Sequence, residues 1–399
     1  MKFSDLNKPG KEKPRPEPLK KARPEPAPEE EKPAQAAAPL PPPEISPRTE
    51  DRQDAVKSGD PAYKPRTRET RNAPREPVTP FRELDVKARE VYARVMNQAG
   101  ELLKHIDQPY TEKYEAILRA CSLAGETLKT NSVLLNYTTF STAEDYLHAH
   151  TANTAILAIA LGQALDLEQA ELNLLGFCAM AHDIGMTAYD AIYRSEARLT
   201  DEEFTEITLH TEAGMGKLDR IVDMDYRVKD RAKRILLQTH ERLDGSGYPD
   251  RIASEEIDPL AQIIGIADVY EAMTHPRAWR GPLNPPDVVK ELIEKEGRGF
   301  NSRVVKALLS ALSIYPPGSM VALSTGEIAR VIKVNKGSLT RPLVEVVLDP
   351  EFAQVPPHAI DLLEYPLTSI ERTVDFKEIE DRNPKYYARL ELSRWWVEW

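Results

Sequence analysis

Three features of the sequence predict a mostly helical, metal-binding domain that carries a small antiparallel β appendage and follows a disordered N-terminal tail. Four histidines and an aspartate, His150, His182, His210, His240 and Asp268, follow one another at separations of 32, 28, 30 and 28 residues. Each interval is about the length of one helix hairpin, so successive helices can each bring one ligand to a shared centre. Residues 1 to 80 hold 18 of the 33 prolines. Beyond Pro316-Pro317-Gly318 the apolar residues change from helical spacing to alternation, the period of a half-buried strand.

The tail, residues 1–78, contains runs such as Pro14-Arg15-Pro16-Glu17-Pro18, mixed with Lys, Arg and Glu and with nearly no large apolar side chains. Such a segment cannot bury enough apolar surface to offset its chain entropy, so it reads as disordered and partly polyproline II. Residues 1 to 80 carry a net charge of +3 and the remainder −14, to a total of −11. A folded part this acidic argues against binding nucleic-acid polymers or anionic membranes nonspecifically. Lys2, Lys8 and Lys11 are followed by no apolar signal region, and no uninterrupted apolar run approaches the roughly 18 residues of a membrane span. The expectation is a soluble, cytoplasmic protein. Cys121 and Cys178 both fall within apolar helical patterns, which speaks against a disulfide framework and against a thiolate zinc site.

Residues 79–140 read as two helices. Val86, Ala88, Val91, Tyr92, Val95 and Met96 recur at helical spacing, and a second series runs from Tyr114 through Ile117, Leu118 and Cys121. Their role is to pack on the domain that follows or to pair two chains as a homodimer. That domain spans residues 141–314. Ser141-Thr142-Ala143-Glu144 has the form of a capping box opening a helix that carries His150. On the next helix Leu172, Leu175, Ala179 and His182 share one face, and Asp183, rotated by about 100°, reaches the same metal from its side. Gly185 then lets the chain turn. A single histidine on an apolar face is more often a satisfied core residue, but five aligned ligands point to a metal site. Imidazoles and carboxylates without thiolate suit iron or manganese, and a carboxylate such as Asp183 can bridge two ions. His105, His275 and His358 have no partners in this pattern, and His148 faces about 200° away from His150.

After His240-Glu241 comes Asp244-Gly245-Ser246-Gly247-Tyr248-Pro249. Its two glycines permit close backbone approach to a ligand or positive φ, and Pro249 fixes the exit; alone, the segment reads as an ordinary glycine turn. Taken with His150, His182-Asp183, His210, His240-Glu241 and Asp268, it resembles the HD-GYP family, the cyclic di-GMP phosphodiesterase branch of the HD hydrolases, over residues 140 to 312. The resemblance implies that two divalent ions, iron or manganese, are held by His150, His182, Asp183, His210, His240 and Asp268, with Asp183 at the catalytic centre. It implies that Asp244, Gly245, Gly247, Tyr248 and Pro249 shape the phosphodiester pocket. Arg277-Ala278-Trp279-Arg280 resembles the family's Arg-Pro-Tyr-Arg element, whose guanidiniums contact phosphate or stack on guanine. The implied reaction is hydrolysis of cyclic di-GMP to the linear dinucleotide or GMP. Two positions depart from the family pattern: Met186 stands where it has lysine, and Thr239 where it has the first of two histidines. Both favour the alternative of a noncatalytic receptor or scaffold that binds cyclic di-GMP or protein partners.

Residues 315–350 alternate as strands around a Thr325-Gly326 turn and resemble an extension found on many HD-GYP proteins; the paired-arginine motif of PilZ receptors is missing, so no ligand is assigned. Residues 351–399 end in Trp395-Trp396-Val397-Glu398-Trp399 after a helical stretch. Those indoles are expected to dock on the folded body or to engage a signalling partner, as the proline-rich tail could.

Overall fold

In the computed structural model, the described residues are 81–395 apart from 110–111, 143–145, 196, 254–255, 278–279 and 295–297. The expected tail, Trp279, Trp396 and Trp399 lie outside them. Helices come first: α1 (Phe81–His105), α2 (Tyr114–Thr130), the single turn α3 (Leu134–Tyr137), α4 (Tyr146–Ala164) and α5 (Gln169–Ala181). A 3-10 turn (Ile184–Ala188) leads to α6 (Asp190–Tyr193), α7 (Asp201–Ile207), α8 (His210–Leu218), α9 (Tyr226–Gln238), α10 (Pro259–Thr274), α11 (Pro285–Glu294) and α12 (Ser302–Leu312).

The starts of these helices follow local chemistry. Asp225 accepts from the amides of Arg227 and Val228 at the head of α9, and Asp258 accepts from Leu260 N ahead of Pro259 on α10, satisfying donors that a helix start leaves open. Ser141, expected as the cap of α4, does something else. Thr142 is not helical, and Ser141 pairs with Trp395, its amide donating to Arg394 O at 2.7 Å. The C-terminal segment thus reaches the helical body just before α4.

The sequence of α4 is apolar on every side, so it is buried along nearly its whole length. It packs against α1, α2, α5, α10 and α12. The first two helices accordingly share one continuous core with the domain: Tyr92, Met96, Leu102 and Ile117 are buried together with Ile156, Phe177, Ile264 and Val269.

Strands β1 (Met320–Leu323), β2 (Ile328–Asn335), β3 (Ser338–Leu348), β4 (Gln354–Asp361) and β5 (Ile370–Thr373) form an antiparallel sheet in the order β4-β3-β2-β1-β5. Successive side chains enter different cores, Met320 and Ala322 one, Val321 and Leu323 the other. The helices α13 (Phe376–Arg382) and α14 (Pro384–Leu392) contribute Phe376, Ile379 and Leu390 to the first of these. The sheet therefore runs past the boundary expected at residue 350. Its last two strands lack the alternating signal for a physical reason: β4 is an edge strand, largely exposed, and carries Pro356-Pro357, which only an edge tolerates, and β5 is four mostly polar residues. Among the described residues, no helix is long and apolar enough to cross a membrane.

Candidate metal centre

Each expected ligand arrives from a different element. His150 lies on α4, and His182 continues the helical path of α5, with φ −58° and ψ −36°. Asp183 leaves that path at φ −104° and ψ 14°, which swings its carboxylate away from the helix. His210 is the first residue of α8, His240 lies two residues beyond α9, and Asp268 is central on α10. All are buried.

They converge on Asp183. Its Oδ1 lies 3.4 Å from His182 Nε2, 3.2 Å from His210 Nε2 and 3.6 Å from His240 Nε2, and its Oδ2 lies 3.4 Å from His150 Nε2. Asp268 Oδ1 is 3.3 Å from His150 Nε2, and its Oδ2 is 3.6 Å from His240 Nδ1. His210 Nε2 and His240 Nε2 face each other at 3.1 Å, close to the separation of two ligands that each reach one ion at roughly 2.1 Å. The donors sort into two groups able to hold an ion, His150–His182–Asp183 and Asp183–His210–His240, with Asp183 common to both.

The donor set fits divalent metal. Buried His182 Nε2 and Asp183 Oδ1 make no hydrogen bond among the described residues, an arrangement that costs about 1–3 kcal/mol per group unless something else fills their lone pairs. The other ring nitrogens are engaged in a way that aims Nε2 inward. His182 Nδ1 donates to Ala179 O at 2.8 Å and His210 Nδ1 to Ile207 O at 2.7 Å, while His150 Nδ1 donates to Glu271 Oε2. These outer contacts fix tautomer and ring orientation, as around bound metals generally.

Glu271 received no role from sequence. The signal was present, because it lies three residues after Asp268 on α10 and so shares its face. His275, which sequence left without partners, is also buried here, with its Nδ1 donating to Glu271 O at 2.8 Å. His148 turns away as expected, its Nε2 bonding Met96 O. Gly185 lies in the 3-10 turn, where the chain turns as expected. It is not at positive φ; its missing side chain lets the 3-10 turn lie against the backbone of His210.

Electrostatics favour ionised carboxylates at the centre. Burial pushes Asp183 up, but the surrounding imidazoles of His182, His150, His210 and His240 hold it well below the usual range. Burial pulls His150 and His210 down, yet Glu271, Asp183 and Asp268 carry His150 well above its ordinary value, and Asp183 carries His210 above it. Desolvation instead takes His240 down to about 4. A ligating imidazole must be neutral, so two of these ligands must shed protons to bind metal. Metal affinity should therefore rise with pH. Manganese titrations are expected to show binding weaker by about 10–100-fold at pH 6 than at pH 8; equal affinity at both would contradict the proton release.

A cleft opens over the centre. His150, Asp183, His210, His240 and Asp268 line its floor, Met186, Ile192, Tyr193, Phe204 and Ile207 an apolar wall, and Arg242, Arg277 and Arg280 add basic side chains. Of the glycine-rich loop, Tyr248 alone among the described residues lines it, stacked on His240 with ring centroids 4.8 Å apart and planes at 12°. The others expected at the pocket shape the loop. Asp244 is exposed and accepts from Ser246 N and Oγ, Gly245 takes φ +72°, and Pro249 follows a cis peptide. Gly247 lies so close to residues 240–242 that a Cβ would come within 2.5 Å of their backbone. Glu241 ties down the exit by accepting from Asp250 N and Ile252 N.

The two arginines differ. The Arg280 guanidinium donates to the carbonyls of Ala272, Met273 and Gly281, holding the C-terminal end of α10. The Arg277 guanidinium lies 4.2 Å over the Tyr146 ring, facing the cleft. Met186 packs with Leu147, Tyr193 and Ile207 in the wall. Thr239 does not line the cleft; its buried hydroxyl turns back to donate to Ile235 O.

Residues 138–304 match the family model described as "HD domain", and residues 320–382 match "KOW domain associated with HD domain"; the second covers all five strands and α13. A cyclic di-GMP phosphodiesterase of Pseudomonas aeruginosa is 30% identical over 242 residues, 60% of this chain and 57% of that one. The cyclic di-GMP phosphodiesterase PdeB of Borreliella burgdorferi is 29% identical over 210 residues, 51% of this chain and 53% of that one. The 3'3'-cGAMP-specific phosphodiesterase 2 of Vibrio cholerae is 30% identical over 162 residues, 40% of this chain and 30% of that one. The chain thus spans about half the length of the first two relatives and less of the third. Residues 138–304 are thus an HD domain that holds the histidine–aspartate centre and its Gly-Tyr-Pro loop, the features by which this part of the chain resembles the HD-GYP family.

Proposed function

We propose that the chain is a metal-dependent phosphodiesterase that hydrolyses cyclic di-GMP to the linear dinucleotide or GMP in bacterial second-messenger signalling. The observation that carries this reading is Asp183, common to two ligand groups on the floor of a cleft that also presents Arg277. Two divalent ions, iron or manganese, held by His150, His182, Asp183 and Asp268 and by Asp183, His210 and His240, would activate water and neutralise charge on the phosphate. The protein supplies the rest. Asp183 and Asp268 stay ionised among the imidazoles. Arg277 offers a planar cation to a phosphodiester or a guanine face in a folded part that is otherwise acidic. Tyr248 shields His240 from solvent, and the apolar wall suits a nucleobase.

One observation favours a second reading. Met186 places a neutral thioether in the cleft wall where HD-GYP proteins carry a lysine, as a noncatalytic receptor for the same dinucleotide could. Metal content by mass spectrometry on anaerobically purified protein, run beside a cyclic di-GMP turnover assay, decides between them. Two ions per chain with release of linear product is the expected result. Binding of the dinucleotide to metal-loaded protein without cleavage would overturn the enzymatic reading in favour of the receptor.

A further inference from the structure

A helix that lies outside the residues matched to the HD domain packs on α4, which carries His150. Helix α1 spans Phe81–His105, whereas that match begins at residue 138. From α1, fully buried Tyr92 donates its hydroxyl to Asn153 Oδ1 at 2.9 Å. Asn153, also fully buried, lies one helical turn beyond His150 on α4, so the two side chains share a face. Its amide nitrogen donates to Phe140 O at 2.9 Å and to Glu271 Oε1 at 3.1 Å. The other oxygen of Glu271 receives His150 Nδ1.

The partners leave Asn153 one amide orientation. Its oxygen meets a hydroxyl donor and its nitrogen meets a carbonyl and a carboxylate; a flipped amide would set oxygen against both acceptors. Glu271 is in turn gripped at both oxygens, by His150 on one side and Asn153 on the other. Burial raises the Tyr92 hydroxyl well above its ordinary value, and Glu271 raises it further, so it stays protonated and donating.

We infer that Tyr92 and Asn153 are positioning residues for the metal centre: they hold Glu271 in the orientation that aims His150 Nε2 at the ion position shared with His182, Asp183 and Asp268. Helix α1 is then a working part of the centre as well as packing for the core. The inference rests on the metal-binding part of the proposed function and not on turnover. It predicts an unequal effect, because His210 and His240 are oriented by contacts that do not involve Glu271.

The test is manganese binding to the metal-free full-length chain, followed by the electron paramagnetic resonance of unbound Mn(II), with thermal unfolding measured beside it. Asn153→Leu is expected to weaken one of two binding events by about 10–100-fold and leave the other unchanged, and Tyr92→Phe to weaken the same event by less. Asn153→Gln, which keeps the amide, should recover part of the loss. Tyr137→Phe is the control, because Tyr137 packs on Tyr92 at 5.6 Å but sends its hydroxyl to Asp85; both binding events should survive it. Unchanged binding in Asn153→Leu and Tyr92→Phe would overturn the inference. So would equal weakening of both events, or a loss in Tyr137→Phe as large as in Tyr92→Phe, since either would mean general loosening of the core. Failure to cleave cyclic di-GMP would sink the proposed enzyme while leaving this result standing, so the two can fail separately.

Discussion

Replacing Asp183 by asparagine is expected to strip nearly all bound metal from the protein and to lower cyclic di-GMP turnover by about 10³-fold or more, a loss of some 4 kcal/mol of transition-state stabilisation. The size follows from the geometry. Asp183 is the one residue common to both ligand groups, and its carboxylate lies within 3.6 Å of four imidazoles. Asparagine keeps the volume but brings a neutral acceptor and an amide donor, and the donor points at nitrogens that must present lone pairs to metal. Asp244→Asn makes the fair comparison. That carboxylate holds Ser246 on an exposed loop, so metal content should stay at the level of the unaltered protein. Should Asp183→Asn retain two ions per chain, or Asp244→Asn lose them, the ligand assignment is wrong.

The ligands were legible in the sequence because they are spread over successive helices or the turns that end them, and because a histidine that continues an apolar face beside an acidic residue is costly to bury without a partner. Spacing aligned His150, His182, His210, His240 and Asp268, helix rotation added Asp183 beside His182, and the six side chains lie together in the structure. What stayed hidden depends on facing elements. Glu271 lies three residues after Asp268, yet its role requires that α10 lie against α4 with His150 opposite, which no one-dimensional pattern states. The loop misled in the opposite direction. Two glycines near a site suggest backbone approach to a ligand, whereas Gly247 approaches the protein's own residues 240–242 and leaves Tyr248 as the side chain that lines the cleft. The late strands were missed because an exposed edge with two prolines has no alternation to detect.

Gly185→Ala should be the most damaging single methyl group in the domain. The 3-10 turn that follows Asp183 lies against the start of α8, and a Cβ at residue 185 would fall 1.8 Å from His210 O, 2.7 Å from Gly214 N and 2.8 Å from the His210 carbonyl carbon. All three are backbone atoms, so no side-chain rotation relieves the clash and α8 itself must move by more than an ångström. His210 heads that helix, and Asp183 lies two residues before the glycine; the shift therefore separates His210 Nε2 from the Asp183 oxygen it now approaches at 3.2 Å. Overpacking of this kind costs about 1–3 kcal/mol or more, and a displacement near 1 Å at a reacting centre costs about 10²-fold in rate. The expected result is a lower unfolding temperature, turnover reduced by at least that factor, and metal content falling from two ions toward one as the group containing His210 and His240 opens. His150, His182 and Asp268 do not depend on α8 and should keep the other ion. Gly216→Ala, on the same helix, meets nothing within 4 Å and should raise stability by up to about 1 kcal/mol through helix propensity. A Gly185→Ala protein with unchanged metal content and unfolding temperature would show that the contact between the 3-10 turn and α8 does not hold the centre together.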